Sequence, residues 1–170
     1  MIPSISDSDV FTALRIFLMM MFPSVEVIQA QDNNVPPPKC EFITMNNVGK
    51  RRLATNSRSY TNTEDKQTQD TVMPTEYSIQ VDFYGEGAGE RAQTLSALFF
   101  DYIAYDAFPE NIKPLYVSDP FQIPLITGEK NYLERWSMDV KIQHNPVISA
   151  PMKFFDSASI ELIPISSIKE

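Results

Sequence analysis

Residues 75–106 limit what this chain can become, because two different hydrophobic periods meet there across a pair of glycines. In Thr75-Glu76-Tyr77-Ser78-Ile79-Gln80-Val81-Asp82-Phe83-Tyr84-Gly85, the side chains of Tyr77, Ile79, Val81 and Phe83 share one face, and those of Ser78, Gln80 and Asp82 share the other. That alternation predicts a strand with one dry and one wet side. After Gly85 and Gly87 the period lengthens, and Ala92, Leu95, Leu98, Phe99, Tyr102 and Ile103 fall on one helical stripe able to cover the dry side. Tyr105 and Phe108 widen the apolar surface beyond what one sheet face requires, which points to a second buried surface and so to assembly.

Two elements precede this unit. The apolar run 14–22 is too short to span a bilayer, and the residues before it carry Asp7 and Asp9 but no Lys or Arg, unlike a secretory leader. Ser6 with Asp9 three residues on makes a capping-box start, acid near the helix N-terminus suits the dipole, and Pro23 supplies the stop, so an amphipathic helix is predicted over about residues 7–22. Residues 25–30 read as a first strand, followed by a turn-rich stretch and Pro36-Pro37-Pro38. A second strand is expected from Lys39, with Cys40, Phe42 and Thr44 on one face and Glu41, Ile43 and Met45 on the other, fading beyond Asn46. Residues 55–75 are polar and aperiodic and read as a long mobile hairpin arm that orders on a partner.

The C-terminal third returns to strands. Pro120 and Pro124 make residues 115–126 an edge or connecting segment. Residues 132–143 alternate cleanly, with Tyr132, Trp136, Met138, Val140 and Ile142 opposite Arg135, Ser137, Asp139, Lys141 and Gln143. A last strand is expected over 157–165. The order α-β-β-β-α-β-β describes one α+β domain spanning residues 1–170: a mixed, largely antiparallel sheet of about five strands covered by two helices, with the polar hairpin arm at about 50–74.

Composition narrows the function. At 170 residues and 43% hydrophobic the chain can bury a real core. A formal net charge of -8 argues against wrapping nucleic acid over a broad surface, because phosphate neutralisation needs a clustered cationic excess. One cysteine, Cys40, and one histidine, His144, leave no internal disulfide and no Cys/His zinc site, and no cofactor is expected. His144, just before Asn145-Pro146, reads as a surface turn residue rather than a catalytic base. Arg135, Asp139 and Lys141 read as a solvated cross-strand charge ladder. The sequence Gly85-Glu86-Gly87-Ala88-Gly89 has neither phosphate-loop spacing, and its acids repel phosphate, so its glycines serve a tight turn.

Lys50-Arg51-Arg52 with Arg58 is the one basic cluster of an acidic chain. It is either a solvated strand end or an electrostatic contact with an acidic surface of a partner or of a neighbouring copy. Lys50, Arg51, Arg52, Arg58 and Lys66 are therefore the candidate interface residues. Met19-Met20-Met21 either fills core or marks an adaptable interface.

The succession of N-terminal helix, Asn34-Val35-Pro36-Pro37-Pro38 turn, strand Glu41-Phe42-Ile43-Thr44-Met45, polar arm, strand ending Phe83-Tyr84-Gly85 with its helix, and Tyr132-Leu133-Glu134-Arg135-Trp136-Ser137-Met138-Asp139-Val140 resembles the neck or tail terminator proteins of tailed bacteriophages. The resemblance covers most of the chain outside residues 112–130 and lies in element order, not in a catalytic motif. It implies a non-enzymatic virion protein, assembled in the host cytoplasm, that forms a ring with itself, commonly a hexamer. Such a ring caps the tail tube, stops its polymerisation and docks the head-side connector. The implied partners are further copies, the tail tube protein, connector or neck proteins, and sheath-associated proteins where the tail is contractile; DNA passes an acidic lumen without specific binding, and no membrane is involved. A head-completion or connector protein of the same neck is the nearest alternative, and a small ligand-binding or hydrolase domain the remote one.

Overall fold

The computed structural model of the protein describes residues 2–30, 38, 41–63, 65–123, 125–126, 132–155 and 159. Its N-terminal helix α1, Asp7–Met21, starts at the expected capping box: Asp9 N donates to Ser6 Oγ at 3.2 Å while Ser6 N donates to Asp9 Oδ2 at 2.7 Å. Phe22 N closes the last turn on the Leu18 carbonyl at 2.8 Å, and Pro23 ends the helix. The chain continues through β1 (Glu26–Gln29), β2 (Phe42–Arg52), β3 (Ser57–Asn62), β4 (Gln67–Val72) and β5 (Thr75–Tyr84) into helices α2 (Ala88–Leu98) and α3 (Tyr102–Ala107). It then forms β6 (Ile112–Val117), β7 (Phe121–Gln122), β8 (Leu125–Ile126), β9 (Tyr132–Leu133), β10 (Arg135–His144) and β11 (Val147–Pro151).

Six strands make the central mixed sheet, in the order β1-β2-β5-β10-β6 with β7 also on β10; β1 and β2 are parallel and the other pairs antiparallel. Register carries the apolar rows across the sheet, Ile43 to Phe83 to Trp136 and Met45 to Val81 to Met138. These rows meet Val10, Phe11, Leu14, Phe17 and Leu18 of α1 and Ala92 and Leu95 of α2 in one buried core. Phe17 lies fully buried within it, edge-on to Phe99 at 6.0 Å and tilted on Phe108 at 5.5 Å.

Several expectations are corrected here. The predicted continuous helix breaks at residues 99–101, where the Asp101 side chain accepts from Tyr102 N at 2.6 Å and restarts the chain as α3. The break lets Phe99 and Phe108 stay buried while Tyr102 and Ile103, expected on the core stripe, face out. The second strand does not fade at Asn46; a bulge between Asn47 and Gly49 carries it to Arg52 and turns Lys50 onto the helix side, opposite Tyr77. The side of β5 expected to be wet is largely sealed, with Asp82 and Glu76 buried. β11 was not expected, and the strand expected over 157–165 lies, apart from Ser159, outside the described residues, as do Cys40 and the triple proline except Pro38.

The polar arm is a regular antiparallel hairpin, β3 with β4, extended by β11 on the other flank of β4. Its strand order repeats that of the central sheet: β2, β5 and β10 continue into β3, β4 and β11. The two sheets are separated where Pro74 and Pro146 remove ladder donors and offer carbonyls instead, to Leu53 N at 2.9 Å and Met73 N at 3.1 Å. Three strands let a segment with almost no apolar side chains satisfy its backbone, which the absence of a hydrophobic period cannot reveal.

Candidate assembly surfaces

The five candidate interface residues divide into two groups. Lys50 is turned by the β2 bulge toward the start of α1, where its ammonium pairs with Asp7 and lies 5.0 Å from the Tyr77 ring centroid. Arg51 is anchored by Nη2 to the buried Glu76 carboxylate at 3.0 Å, its side chain otherwise exposed. Arg52, Arg58 and Lys66 are exposed and form no ion pair among the described residues. Arg52 ends β2 at the arm root, Arg58 is on β3 opposite Thr71, and Lys66 closes the hairpin turn with Thr63.

His144 is not a surface turn residue. It is the last residue of β10, paired with both Thr75 and Ile112, and only 3% exposed, with its ring 5.8 Å from that of Tyr77. Nδ1 has no hydrogen-bond partner among the described residues. Burial and the nearby Lys50 cation push the imidazole below its ordinary pKa, partly offset by Asp7, so the ring stays neutral. Burial, reinforced by Asp7, pushes the Tyr77 phenol up to about 12. The sign that sequence offered was parity: His144 shares the face of Val140 and Ile142, and a strand continuing past Gln143 carries it into the core.

The expected charge ladder on β10 is solvated only at Asp139, whose side chain is 42% exposed and lies 3.9 Å from Lys141; Arg135 and Lys141 turn instead onto partners in the sheet. Arg135 Nη2 donates to Asp82 Oδ2 at 3.0 Å, Gln80 Nε2 bridges Asp82 Oδ1 and Ser137 Oγ at 3.0 Å each, and Asn46 reaches Asp82 Oδ2 at 3.3 Å. Farther along, Lys141 Nζ donates to Ser78 Oγ at 2.7 Å. The network ties β2, β5 and β10 together on the side away from the helices, so these side chains organise the sheet.

Two other surfaces are left open. Helix α1 exposes Ile16, Met19 and Met20, and the region of α3 exposes Phe100 (64%), Tyr102 (72%), Ile103 and Tyr105; of the two residues expected to widen the apolar surface, Tyr105 is open and Phe108 is buried in the core. At the end of the sheet away from the arm, α2 and the start of β10 enclose a cleft of about 580 Å³ lined by Gly89, Glu90, Gln93, Asp119, Glu134 and Trp136 among others. Gly89 lets the helix approach, since a Cβ there would meet the indole at 3.0 Å, and Trp136 Nε1 donates to Glu134 Oε1 at 2.8 Å. Sequence reasoning missed this cleft because its acids come from three separate elements. The glycine turn leading to it has the expected role: Gly85 and Gly87 take φ of 90° and 73°.

Among the described residues no group of three or more His, Cys, Asp or Glu side chains can hold a metal ion, and no helix is long and apolar enough to cross a membrane. Ionisable groups here brace the sheet and the core, while apolar and charged patches stay open at the surface. The sequence model of the family described as phage neck terminator protein matches residues 8–166, and the chain belongs to that family. Its role is accordingly a structural one at the phage neck. A comparison with curated proteins found no match.

Proposed function

We propose that the protein forms a ring, with six copies as the expected number, that caps the completed tail tube, stops tube polymerisation and docks the tail to the head-side connector. The observation that carries this reading is the match to the neck terminator family over nearly the whole chain, on a fold whose helices leave Ile16, Met19, Met20, Phe100, Tyr102 and Tyr105 open to a partner. A ring subunit needs such surfaces, because one repeated heterologous contact must form in every copy. Tail tube and connector proteins are the partners of the two ring faces, and the chain's net charge of -8 suits a lumen through which DNA slides without adhering.

The test is tail length in a phage lacking this chain, with purified protein added to isolated tail tubes and imaged by negative stain. Tails of uncontrolled length, and rings seated on one tube end, are the expected results. Tails of normal length in its absence overturn the capping role. Binding to portal-side complexes with none to tubes assigns the protein to the head side instead.

A further inference from the structure

The side chains left without an ion pair differ between the cationic arm root and the acidic cleft at the other end of the central sheet, among the described residues. Strand β5 runs from the arm root at Thr75 to the glycine turn after Tyr84, ten residues that span about 30 Å at the rise of a strand. At the arm end lie Arg51, Arg52 and Arg58, the first engaged by Glu76 and the other two exposed without an ion pair among the described residues. At the other end lies the cleft between α2 and β10. Its three carboxylates, Glu90, Asp119 and Glu134, pair with no cation among the described residues, and one wall is the Trp136 indole. Carboxylates beside an aromatic wall are what a guanidinium seeks, through charge-assisted hydrogen bonds and stacking.

We infer that this cleft receives the arm root of the next copy, with Arg52 and Arg58 of one subunit set against Glu90, Asp119 and Glu134 of its neighbour. The inference rests on the ring reading above and names the contact that builds the ring. The occupant is a second copy because the complementary charge is carried by this same chain, at the opposite end of the same sheet. Two unlike, complementary patches on opposite ends give a heterologous contact, which propagates head to tail and closes when the rotation per subunit allows. The hairpin tip is not the cationic element, since Asp65 stands beside Lys66 there, so the root is what enters the cleft. Charge pairs of this kind steer assembly and weaken with salt.

The experiment is charge reversal at both ends, read by mass photometry at low and high salt. Glu90→Lys with Asp119→Lys forms the cleft set, and Arg52→Glu with Arg58→Glu the arm set. None of the four side chains makes a hydrogen bond or ion pair among the described residues, so the fold survives, as unchanged Tm verifies. Each set alone is expected to weaken self-association by more than about tenfold. Mixing the two sets restores oligomers in which the two variants alternate, because each arm then meets a cleft of opposite charge, and combining all four substitutions in one chain restores the wild-type oligomer. Wild-type oligomers from either set alone, or a wild-type chain that stays monomeric at micromolar concentration and low salt, overturn the contact. Rings that survive both reversals and still cap tubes remove this contact while the terminator role stands. Rings lost on reversal with no change in tail length remove that role while the contact stands.

Discussion

Arg135 lies diagonally across β10 and β5 from Asp82, its Nη2 3.0 Å from a carboxylate oxygen whose side chain is only 1% exposed. Asp82 is thus a buried charge whose desolvation is offset by one guanidinium and by the amides of Asn46 and Gln80. Removing the cation strands the anion. Arg135→Ala is expected to destabilise the protein by about 3–5 kcal/mol, measured by urea unfolding, with less loss when Asp82→Ala is made in the same chain. A loss near that of an exposed ion pair, below about 1 kcal/mol, contradicts the role assigned to this pair.

His144 makes stability depend on pH. Its folded pKa lies below the ordinary value of 6.5, so as pH falls through 6.5 the unfolded chain takes up a proton that the folded chain refuses. The stabilisation is complete above about 6.5 and is lost progressively toward the lower folded value. The groups around the ring are Tyr77 on β5, Lys50 on β2 and Asp7 on α1. Between about pH 7.5 and 5.5, Tm should fall more for the wild type than for His144→Gln. Parallel pH profiles for the two proteins would count against a buried neutral histidine.

Gly85 holds φ of 90°, and a Cβ there would come within 2.8 Å of Glu41 Cγ and 3.3 Å of its Cα. Strain and contact act together, so Gly85→Ala should cost about 1–3 kcal/mol. Gly49, with nothing within 4 Å of a built Cβ and no positive φ, is the control, and Gly49→Ala should differ little from wild type in the same thermal melt.

Deleting residues 56–69 removes β3 and the first half of β4 but no part of the core cluster. The shortened protein should fold, with its helical circular dichroism retained, and should no longer cap tail tubes. Normal capping by this deletion would remove the arm from the assembly mechanism.

Much of this architecture was legible in the chain because its signals are local. The Ser6–Asp9 box, the alternation of Tyr77, Ile79, Val81 and Phe83, and that of Trp136, Met138, Val140 and Ile142 each state a period and a face within a few residues, and all became the elements they describe. Of the two residues expected to widen the apolar surface, Tyr105 is exposed as its position beside the stripe implied, whereas Phe108 is buried and Tyr102, expected to be buried, is open, because the helix break at residues 99–101 resets the stripe.

What tertiary structure alone decided depends on neighbours distant in sequence. The burial of His144 follows from pairing on both flanks by Thr75 and Ile112, and that of Asp82 from an arginine 53 residues away. The arm became a sheet because β11 supplied a third strand, and the acidic cleft formed because α2, the end of β6 and the start of β10 converge. A hydrophobic period reports which face of an element turns from water. It does not report which polar group the opposite face will meet, because that depends on register, and register is set only when the strands pair.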